Sequence, residues 1–112
     1  MTDLENLNNM SLHDMIVNSL AIDFQNRLLT LVLNAYNEDT CGYDNLKLEF
    51  LGINKLNLEP LELDAKGFED FDVYTHTVTQ TDDTHAVQFT LLTGHGRPSI
   101  ELSFAFEQVR LN

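Results

Sequence analysis

Histidines are the side chains of this chain best suited to bind a metal or to move a proton. Four occur among its 112 residues, at His13, His76, His85 and His95. A zinc site needs three or four ligands that converge at about 2 Å. His76 and His85 fall on paired strands of a predicted hairpin, on opposite faces and about 13 Å apart along it. The sequence therefore predicts no metal site, and it indicates no cofactor.

Nucleophilic catalysis is not indicated either. His13 and Asp14 are adjacent, and adjacent residues seldom orient each other as a catalytic pair does. No Ser or Cys follows the strand–turn–helix pattern that presents a nucleophile. Acidic residues flank Cys41, which disfavours its thiolate. We therefore predict a non-enzyme in which Leu12-His13-Asp14 is structural, with His13 anchoring the entry to the first strand through hydrogen bonds.

Acidic residues are the most unusual feature of the composition. Eighteen acids face six bases, giving a net charge of −12. Such a field repels nucleic acid and anionic lipid and attracts basic proteins. We therefore expect a protein partner, with a basic one favoured, and neither nucleic acid nor membrane; a purely solubilising role stays open. The residues predicted to contact the partner are Glu59, Glu62, Asp64, Glu69, Asp70 and Asp72.

A small-molecule pocket is the alternative to a protein interface. Asn18, Tyr74 and His76 are polar or amphipathic residues predicted on the apolar faces of strands. They are candidates to line a pocket in a curved sheet. Polar core residues that only satisfy hydrogen bonds are the more common explanation.

Apolar residues alternate with polar ones in two runs before residue 36, which predicts a β-hairpin. A turn at residues 25–26 pairs Ile22 with Leu29 and Leu20 with Leu31, and a slip of one residue would lose this match. The residues predicted to share the apolar face of the first strand are Ile16, Leu20, Ile22 and Phe24, with Asn18 between them.

A second hairpin is predicted around a turn at Asp82-Asp83. This register sets Val78 opposite Val87 and His76 opposite Phe89, and it sets Tyr74 opposite Leu91. The large side chains again gather on one face, which is the pattern of a half-buried sheet.

Further elements follow from local composition. Thr2 and Glu5 form a capping box that predicts one short helix. Residues 37–45 are predicted to form a loop, and residues 46–50 alternate as a strand that ends at a bend or bulge at Gly52.

The second half of the chain supplies three more predictions. Residues 56–61 form a short edge strand, because Pro60 disfavours a central position. Residues 64–72 are acidic and irregular, and 94–99 form a loop. Residues 100–106 form the clearest strand, which extends to Leu111 after a bulge near 107–108.

The predicted fold is mainly β: an antiparallel meander folded as a sandwich or a partly open barrel, with at most one short N-terminal helix. An α+β fold is the alternative. The chain has no room for the long crossovers of parallel strands. We expect residues 1–112 to form one domain, with a polar lead-in over 1–12. Exposed edge strands leave a homodimer open.

The expected location is the cytoplasm. The single cysteine permits no internal disulfide and fits a reducing compartment. The start of the chain lacks the basic and apolar regions of a signal peptide, and no apolar run approaches the about 20 residues that span a bilayer.

Three segments resemble a group of small bacterial domains that begin a β-meander with a Leu-His-Asp element. They are Leu12-His13-Asp14 with the strand 18–23, the strand 48–53 and the strand 103–109. Some of these domains are similar to immunity proteins, which neutralise a toxin of the same or a neighbouring cell, notably the immunity protein fifty family. The resemblance implies a non-catalytic, all-β or α+β binding domain, and it implies no catalytic residue.

Overall fold

The computed structural model describes residues 2–59, 72–80, 84–92 and 99–111, and every structural statement below concerns these residues. They form one helix and eight strands. The elements are α1 (Asp3–Asn9), β1 (Ile16–Asp23), β2 (Leu28–Asn37), β3 (Gly42–Leu51), β4 (Asn54–Glu59), β5 (Asp72–Gln80), β6 (His85–Leu92), β7 (Ile100–Phe106) and β8 (Gln108–Leu111).

All eight strands belong to one antiparallel sheet that does not close, in the order β4-β7-β6-β5-β1-β2-β3-β8. The predicted mainly β, antiparallel fold with one short N-terminal helix is therefore confirmed. Parts of the prediction lie outside the described residues: Pro60, Leu61, the acidic segment from 64 to 71, the turn at 82–83 and most of the loop at 94–99.

Helix α1 begins with the predicted capping box. The Thr2 hydroxyl accepts a hydrogen bond from the backbone N–H of Glu5 at 3.2 Å, and the Glu5 carboxylate accepts one from the Thr2 N–H at 3.3 Å. The helix ends after Asn9, since asparagine side chains compete for backbone hydrogen bonds. Leu7 is fully buried and fixes the helix on β5 and β8.

The two predicted hairpins have the predicted central registers. Ile22 pairs with Leu29 and Leu20 with Leu31 in the first hairpin. In the second, Val78 pairs with Val87 and His76 with Phe89. Cross-strand packing of apolar side chains on one face therefore sets both registers, as the alternation predicts.

A β-bulge interrupts each hairpin, and both bulges contradict a prediction. The register shifts between Val17 and Ser19 and again between Val73 and Thr75. The extra residues are Asn18 and Tyr74, and both are exposed. An extra residue in a strand shifts by one position which of the following side chains point to the core face and which point to solvent. The prediction that both lie on an apolar face is therefore wrong.

The bulges also change which apolar residues reach the core. Val17 is buried, whereas Ile16 is exposed and Phe24, in the turn after β1, is 80% exposed. Val73, in place of Tyr74, lies opposite Leu91. The predicted common face of Ile16, Leu20, Ile22 and Phe24 therefore holds only for the half-buried pair Leu20 and Ile22.

The predicted loop at residues 37–45 is mostly strand. Strands β2 and β3 pair as far as Asn37 and Gly42, which leaves a turn of residues 38–41. The Asn37 side-chain amide donates to the Asp44 carboxylate at 2.8 Å. The polar composition of this segment predicted a loop. Backbone pairing nevertheless continues here, because polar side chains on both strands can face water.

The sheet bends at a corner formed by Gly52 and Glu107. Strand β3 pairs with β8 before the corner, and β4 pairs with β7 after it. Gly52 has a φ of 69°, and the N–H of Glu107 donates to the Leu51 carbonyl at 2.9 Å. The predicted bend at Gly52 is confirmed. In place of the predicted bulge after β7 the chain kinks, and β8 pairs with β3. The edge strands of the open sheet, β4 and β8, therefore meet at this corner.

Arg27 ties the β1–β2 turn to the same corner. Its Nε donates to the Ile53 carbonyl at 3.0 Å and its Nη2 to the Gly52 carbonyl at 3.3 Å. The Ile53 N–H in turn donates to the Arg27 carbonyl at 3.0 Å. The Arg27 guanidinium therefore donates hydrogen bonds to backbone carbonyls of the corner.

The core lies on the inner face of the curved sheet and is closely packed. The Phe50 ring lies 4.8 Å from that of Phe104 and 5.0 Å from that of Phe106, both edge-to-face. Such contacts stabilise a core beyond their buried area. The fully buried side chains are Phe50, Phe89, Phe106, Leu7, Leu12, Leu29, Leu31, Leu33, Leu48, Leu91, Leu102 and Val73.

Within the described ranges, no helix has the length and apolar character needed to cross a membrane.

Candidate functional site

The junction between β1 and β5 joins the two halves of the sheet. In the described residues this ladder is short: Ile16 pairs with Asp72. The Asp14 N–H donates to the Val73 carbonyl at 2.8 Å, and the Val73 N–H donates to the Met15 carbonyl at 2.9 Å. The bulges at Asn18 and Tyr74 lie immediately beside these pairs. Bulges often redirect side chains at functional sites, which makes this junction a candidate binding surface.

The Leu12-His13-Asp14 element forms the entry to this junction. Leu12 is fully buried, while Asp14 has a φ of 68°, a backbone conformation that aspartate tolerates better than most residues. His13 Nδ1 donates to the Tyr74 carbonyl, and the His13 and Tyr74 rings lie edge-to-face at 5.6 Å. His13 Nε2 lies 3.4 Å from the Asp14 carboxylate. His13 therefore holds the entry of β1 against the β5 bulge.

Four exposed side chains and one half-buried side chain here form what we call the seam surface: His13, Asp14, Ile16 and Tyr74 are exposed, and Asp72 is half-buried. Tyr74 is 51% exposed, and the Asp14 side chain is 78% exposed. Aromatic residues with few rotatable bonds contribute most of the binding energy in many protein interfaces, while charges at the rim set orientation. The seam surface combines both classes.

Two of the six predicted partner-contacting acids lie in the described residues. Glu59 is exposed at the end of β4 and lies opposite Glu101 of β7. Asp72 begins β5 and pairs with Ile16 in the seam surface. Both lie at the same end of the half-sheet β4-β7-β6-β5. Glu62, Asp64, Glu69 and Asp70 lie outside the described residues; Glu69 and Asp70 shortly precede Asp72 in sequence.

Glu101 and Asp14 add acidic groups that the sequence reasoning missed. The Glu101 carboxylate accepts hydrogen bonds from the Thr90 hydroxyl at 2.9 Å and the Gln88 amide at 3.0 Å. Like charges directly opposite each other in a sheet are destabilising, so the Glu59–Glu101 pair disfavours the isolated sheet. The sequence does not reveal that Glu101 faces Glu59, because the register between β4 and β7 cannot be read from it.

The three predicted pocket residues do not come together. Asn18 projects to solvent from β1, and Tyr74 belongs to the seam surface. His76 is half-buried; its Nε2 bonds the Leu7 carbonyl at 2.9 Å, and its ring stacks at 6.1 Å on that of Phe89. His76 therefore fastens α1 to β5.

Metal-binding groups are not clustered in the part of the chain that the structure describes. No set of three or more His, Cys, Asp or Glu side chains there is arranged to hold a metal ion. Cys41 is exposed in the turn after β2, with its Sγ 3.7 Å from the Glu38 carbonyl oxygen.

One depression lies on the outer face of the half-sheet β4-β7-β6-β5. Its volume is about 260 Å³, and its lining includes Lys55, Thr77, Gln88, Ser103 and Ala105. Lys55 has a φ of 54° and lies where the β4–β7 register shifts. None of the three predicted pocket residues is among the described residues that line it.

A second hollow, the corner cavity, has a volume of about 280 Å³ and lies between the start of α1 and the Gly52–Glu107 corner. Its lining includes Asp3, Leu4, His85, Phe106, Glu107 and Val109. The β6–β7 register places His85 opposite Phe106. Sequence reasoning could not find this cavity, because its residues are distant in the chain and carry no local motif.

No family model, no curated protein and no solved structure matches this chain.

Proposed function

We propose that this chain is a non-catalytic protein-interaction domain that binds a basic protein through its acidic surface. The observation that carries the proposal is the seam surface, where Tyr74 and Ile16 are exposed beside the carboxylates of Asp14 and Asp72. The β-bulges at Asn18 and Tyr74 and the left-handed backbone conformation of Asp14 give this surface its shape. Backbone distortions of this kind cost free energy and cluster at functional sites.

The charge of the whole chain supports a basic partner. A net charge of −12 attracts a cationic protein over several ångströms and orients it before contact. Such steering raises the association rate more than it raises affinity. A cation beside Glu59 and Glu101 would also relieve the repulsion between these facing carboxylates.

Neutralisation of a toxin is the most specific form of the proposal. It rests on the likeness of Leu12-His13-Asp14 and the strands 18–23, 48–53 and 103–109 to immunity domains. Such a protein inhibits by binding alone, so it needs no catalytic residue. A cytoplasmic location belongs to this proposal, and a free, exposed Cys41 fits it.

The first experiment is capture of binding proteins by the purified, tagged chain from a lysate of its own source, at low and at moderate salt. We expect one stoichiometric basic protein that is lost as salt rises. If this protein is toxic when expressed alone and harmless when expressed with the chain, the immunity form holds. If no basic protein binds at low salt, the proposal fails.

A matched pair of triple variants then tests the surface. Asp14→Asn/Glu59→Gln/Asp72→Asn removes two charges of the seam surface and one at the same end of the half-sheet β4-β7-β6-β5, and asparagine tolerates the left-handed conformation at residue 14. The control, Glu38→Gln/Asp39→Asn/Asp44→Asn, removes three charges from the β2–β3 turn region. We expect the first variant to slow association on the order of tenfold at low salt. Equal rates for the two variants would contradict the assignment of the surface.

A further inference from the structure

The two edge strands of the open sheet, β4 and β8, differ in how their edges are covered. At β8 the Leu111 N–H donates to the Asp3 carboxylate at 3.1 Å, and α1 packs on this strand. Within the described ranges β4 pairs with β7 alone, and the backbone groups of its other edge have no partner there. A strand edge of this kind is a template for pairing with another extended chain.

The side chains of β4 alternate between the two faces of the sheet. Leu56 and Leu58 are half-buried and pack against the core. Lys55, Asn57 and Glu59 are exposed on the outer face. Between residues that the structure describes, neither Lys55 nor Glu59 forms an ion pair. The strand therefore presents one positive and one negative charge on either side of a central asparagine.

An antiparallel pair of two β4 strands, centred on Asn57, matches these side chains. In this register Lys55 lies opposite Glu59 of the second copy, and Leu56 lies opposite Leu58 of the second copy. The two-fold symmetry of the pair makes each match occur twice. Opposite charges and apolar side chains that face each other directly across two strands stabilise their pairing.

Other registers of the same two strands lose this match. A slip of one residue places an apolar side chain opposite a charged one and breaks the continuity of the two faces. A slip of two residues pairs a charge with Asn57, and a slip of four brings like charges together. Lysine on an edge strand commonly prevents association by such repulsion. At β4 it rejects the wrong registers and favours the one centred on Asn57.

The facing carboxylates of Glu59 and Glu101 also favour a cation at this edge. They lie directly opposite each other in the β4–β7 pair. Glu101 is held in place by hydrogen bonds from the Thr90 hydroxyl and the Gln88 amide. In the register centred on Asn57, Lys55 of the second copy lies in the same row, beside Glu59. Its ammonium group therefore offsets the repulsion between the two carboxylates.

We propose that two copies of this chain associate through their β4 edges, in the antiparallel register centred on Asn57, so that their sheets become continuous. The contact is short, with 6 residues from each copy, and each copy has a net charge of −12. We therefore expect a weak dimer, with a Kd on the order of 10 µM at about 0.15 M salt, where the general repulsion is screened. The seam surface belongs to β1 and β5 and takes no part in this contact.

Sedimentation equilibrium of the purified chain, from about 1 to about 200 µM, tests the dimer. Lys55→Glu places carboxylates opposite each other, and Glu59→Lys places ammonium groups opposite each other. We expect each to raise the Kd by about tenfold or more. The control Lys47→Glu makes the same change of net charge as Lys55→Glu, at an exposed position of β3, and should leave the Kd unchanged. A monomer at every concentration, or equal weakening by Lys55→Glu and Lys47→Glu, would overturn the proposal.

A mixture of the two single variants separates the pairing of charges from any general effect on the fold. The Lys55→Glu chain has acids at both positions, and the Glu59→Lys chain has lysines at both. A mixed pair therefore restores opposite charges at both contacts. We expect the equimolar mixture to form a heterodimer with about the Kd of the parent, although neither variant dimerises alone. The absence of a heterodimer would contradict the proposed register.

Cross-linking tests the register without altering these charges. Cys41→Ser/Asn57→Cys leaves one thiol in each copy, next to the two-fold axis. Directly opposite residues of an antiparallel pair have Cβ atoms about 5 Å apart, within reach of a short bifunctional thiol reagent. The control, Cys41→Ser/Thr77→Cys, carries its thiol at an exposed position of β5. We expect much faster formation of linked dimer at residue 57, and equal rates would overturn the proposal.

Each of these measurements uses the purified chain alone. Self-association therefore succeeds or fails independently of whether the acidic surface binds a basic protein. Lys55→Glu leaves Asp14 and Asp72 of the seam surface unchanged, so capture of a basic partner can be compared between this variant and the parent.

Discussion

Strands β1 and β7 have similar sequence patterns but contribute very differently to the core. Both alternate apolar and polar residues and have nearly equal length. Five of the seven residues of β7 are buried, whereas Val17 is the one buried residue of β1. Alternation therefore predicts that both are strands, but it does not predict how much of each is covered.

The difference comes from the neighbours of each strand. β7 pairs along its length with β6 on one side and with β4 on the other. β1 pairs along its length with β2, but in the described residues it pairs with β5 only at Ile16. A strand between two partners is covered from both sides, and the bulge at Asn18 turns more of β1 outward.

The largest expected effect is a difference between matched leucines of the two strands. Leu102 in β7 is fully buried, and Leu20 in β1 is half-buried. We expect Leu102→Ala to lower the free energy of unfolding by about 2–5 kcal/mol, because it leaves a cavity in a packed core. Leu20→Ala should cost about 1 kcal/mol. Urea denaturation of both variants measures this, and equal losses would refute the difference between the strands.

A smaller loss of stability is expected from a substitution at the corner where the well-buried strand β7 ends. Gly52→Ala places a Cβ against the Glu107 carboxylate at a φ of 69°. We expect a loss of about 1–2 kcal/mol in the free energy of unfolding, mainly from backbone strain, because the exposed Glu107 side chain can move aside. In a Glu107→Ala background the same substitution should cost nearly as much. A much smaller cost in that background would show that the collision with Glu107, and not the strain, dominates.

The smallest effect concerns the turn where β1 ends. The Asn26 side-chain amide and backbone N–H donate to Asp23 at 2.8 and 3.1 Å, and these bonds lower the pKa of Asp23 below its usual value. The carboxylate therefore stabilises the fold above the pKa of the unfolded chain, and this contribution is lost as the pH falls through the lower folded pKa.

The variant Asp23→Asn tests this pH dependence. We expect a small loss of stability at neutral pH and a weaker fall of the urea midpoint between about pH 5 and about pH 2 than in the unsubstituted chain. Parallel curves for the two proteins would show that Asp23 does not contribute to the acid sensitivity.

Much of the fold could be predicted, because local patterns report local pairing. The apolar alternation gave the pairs Leu20–Leu31 and Val78–Val87, and the capping box gave α1. The bulges could not be predicted, since Asn18 and Tyr74 also fit an unbroken alternation. The partners of β4 and β8 depend on the corner, which no local pattern reports.

The candidate sites were less predictable than the fold. Net charge predicts a basic partner, and Asp72 does lie beside exposed apolar side chains. The corner cavity depends on Asp3, His85 and Glu107, which only the sheet topology brings together. Sequence spacing carries no information about such a set.

The corner at Gly52 and Glu107 also has a consequence for folding kinetics. It joins β3–β4 to β7–β8, segments about fifty residues apart in the chain, and α1 packs on β8 from more than ninety residues away. Chains dominated by such distant contacts fold slowly, in milliseconds to seconds, because a long loop must close before its contacts form. The two hairpins, whose contacts are local, can form early, and the corner is the step that completes the sheet.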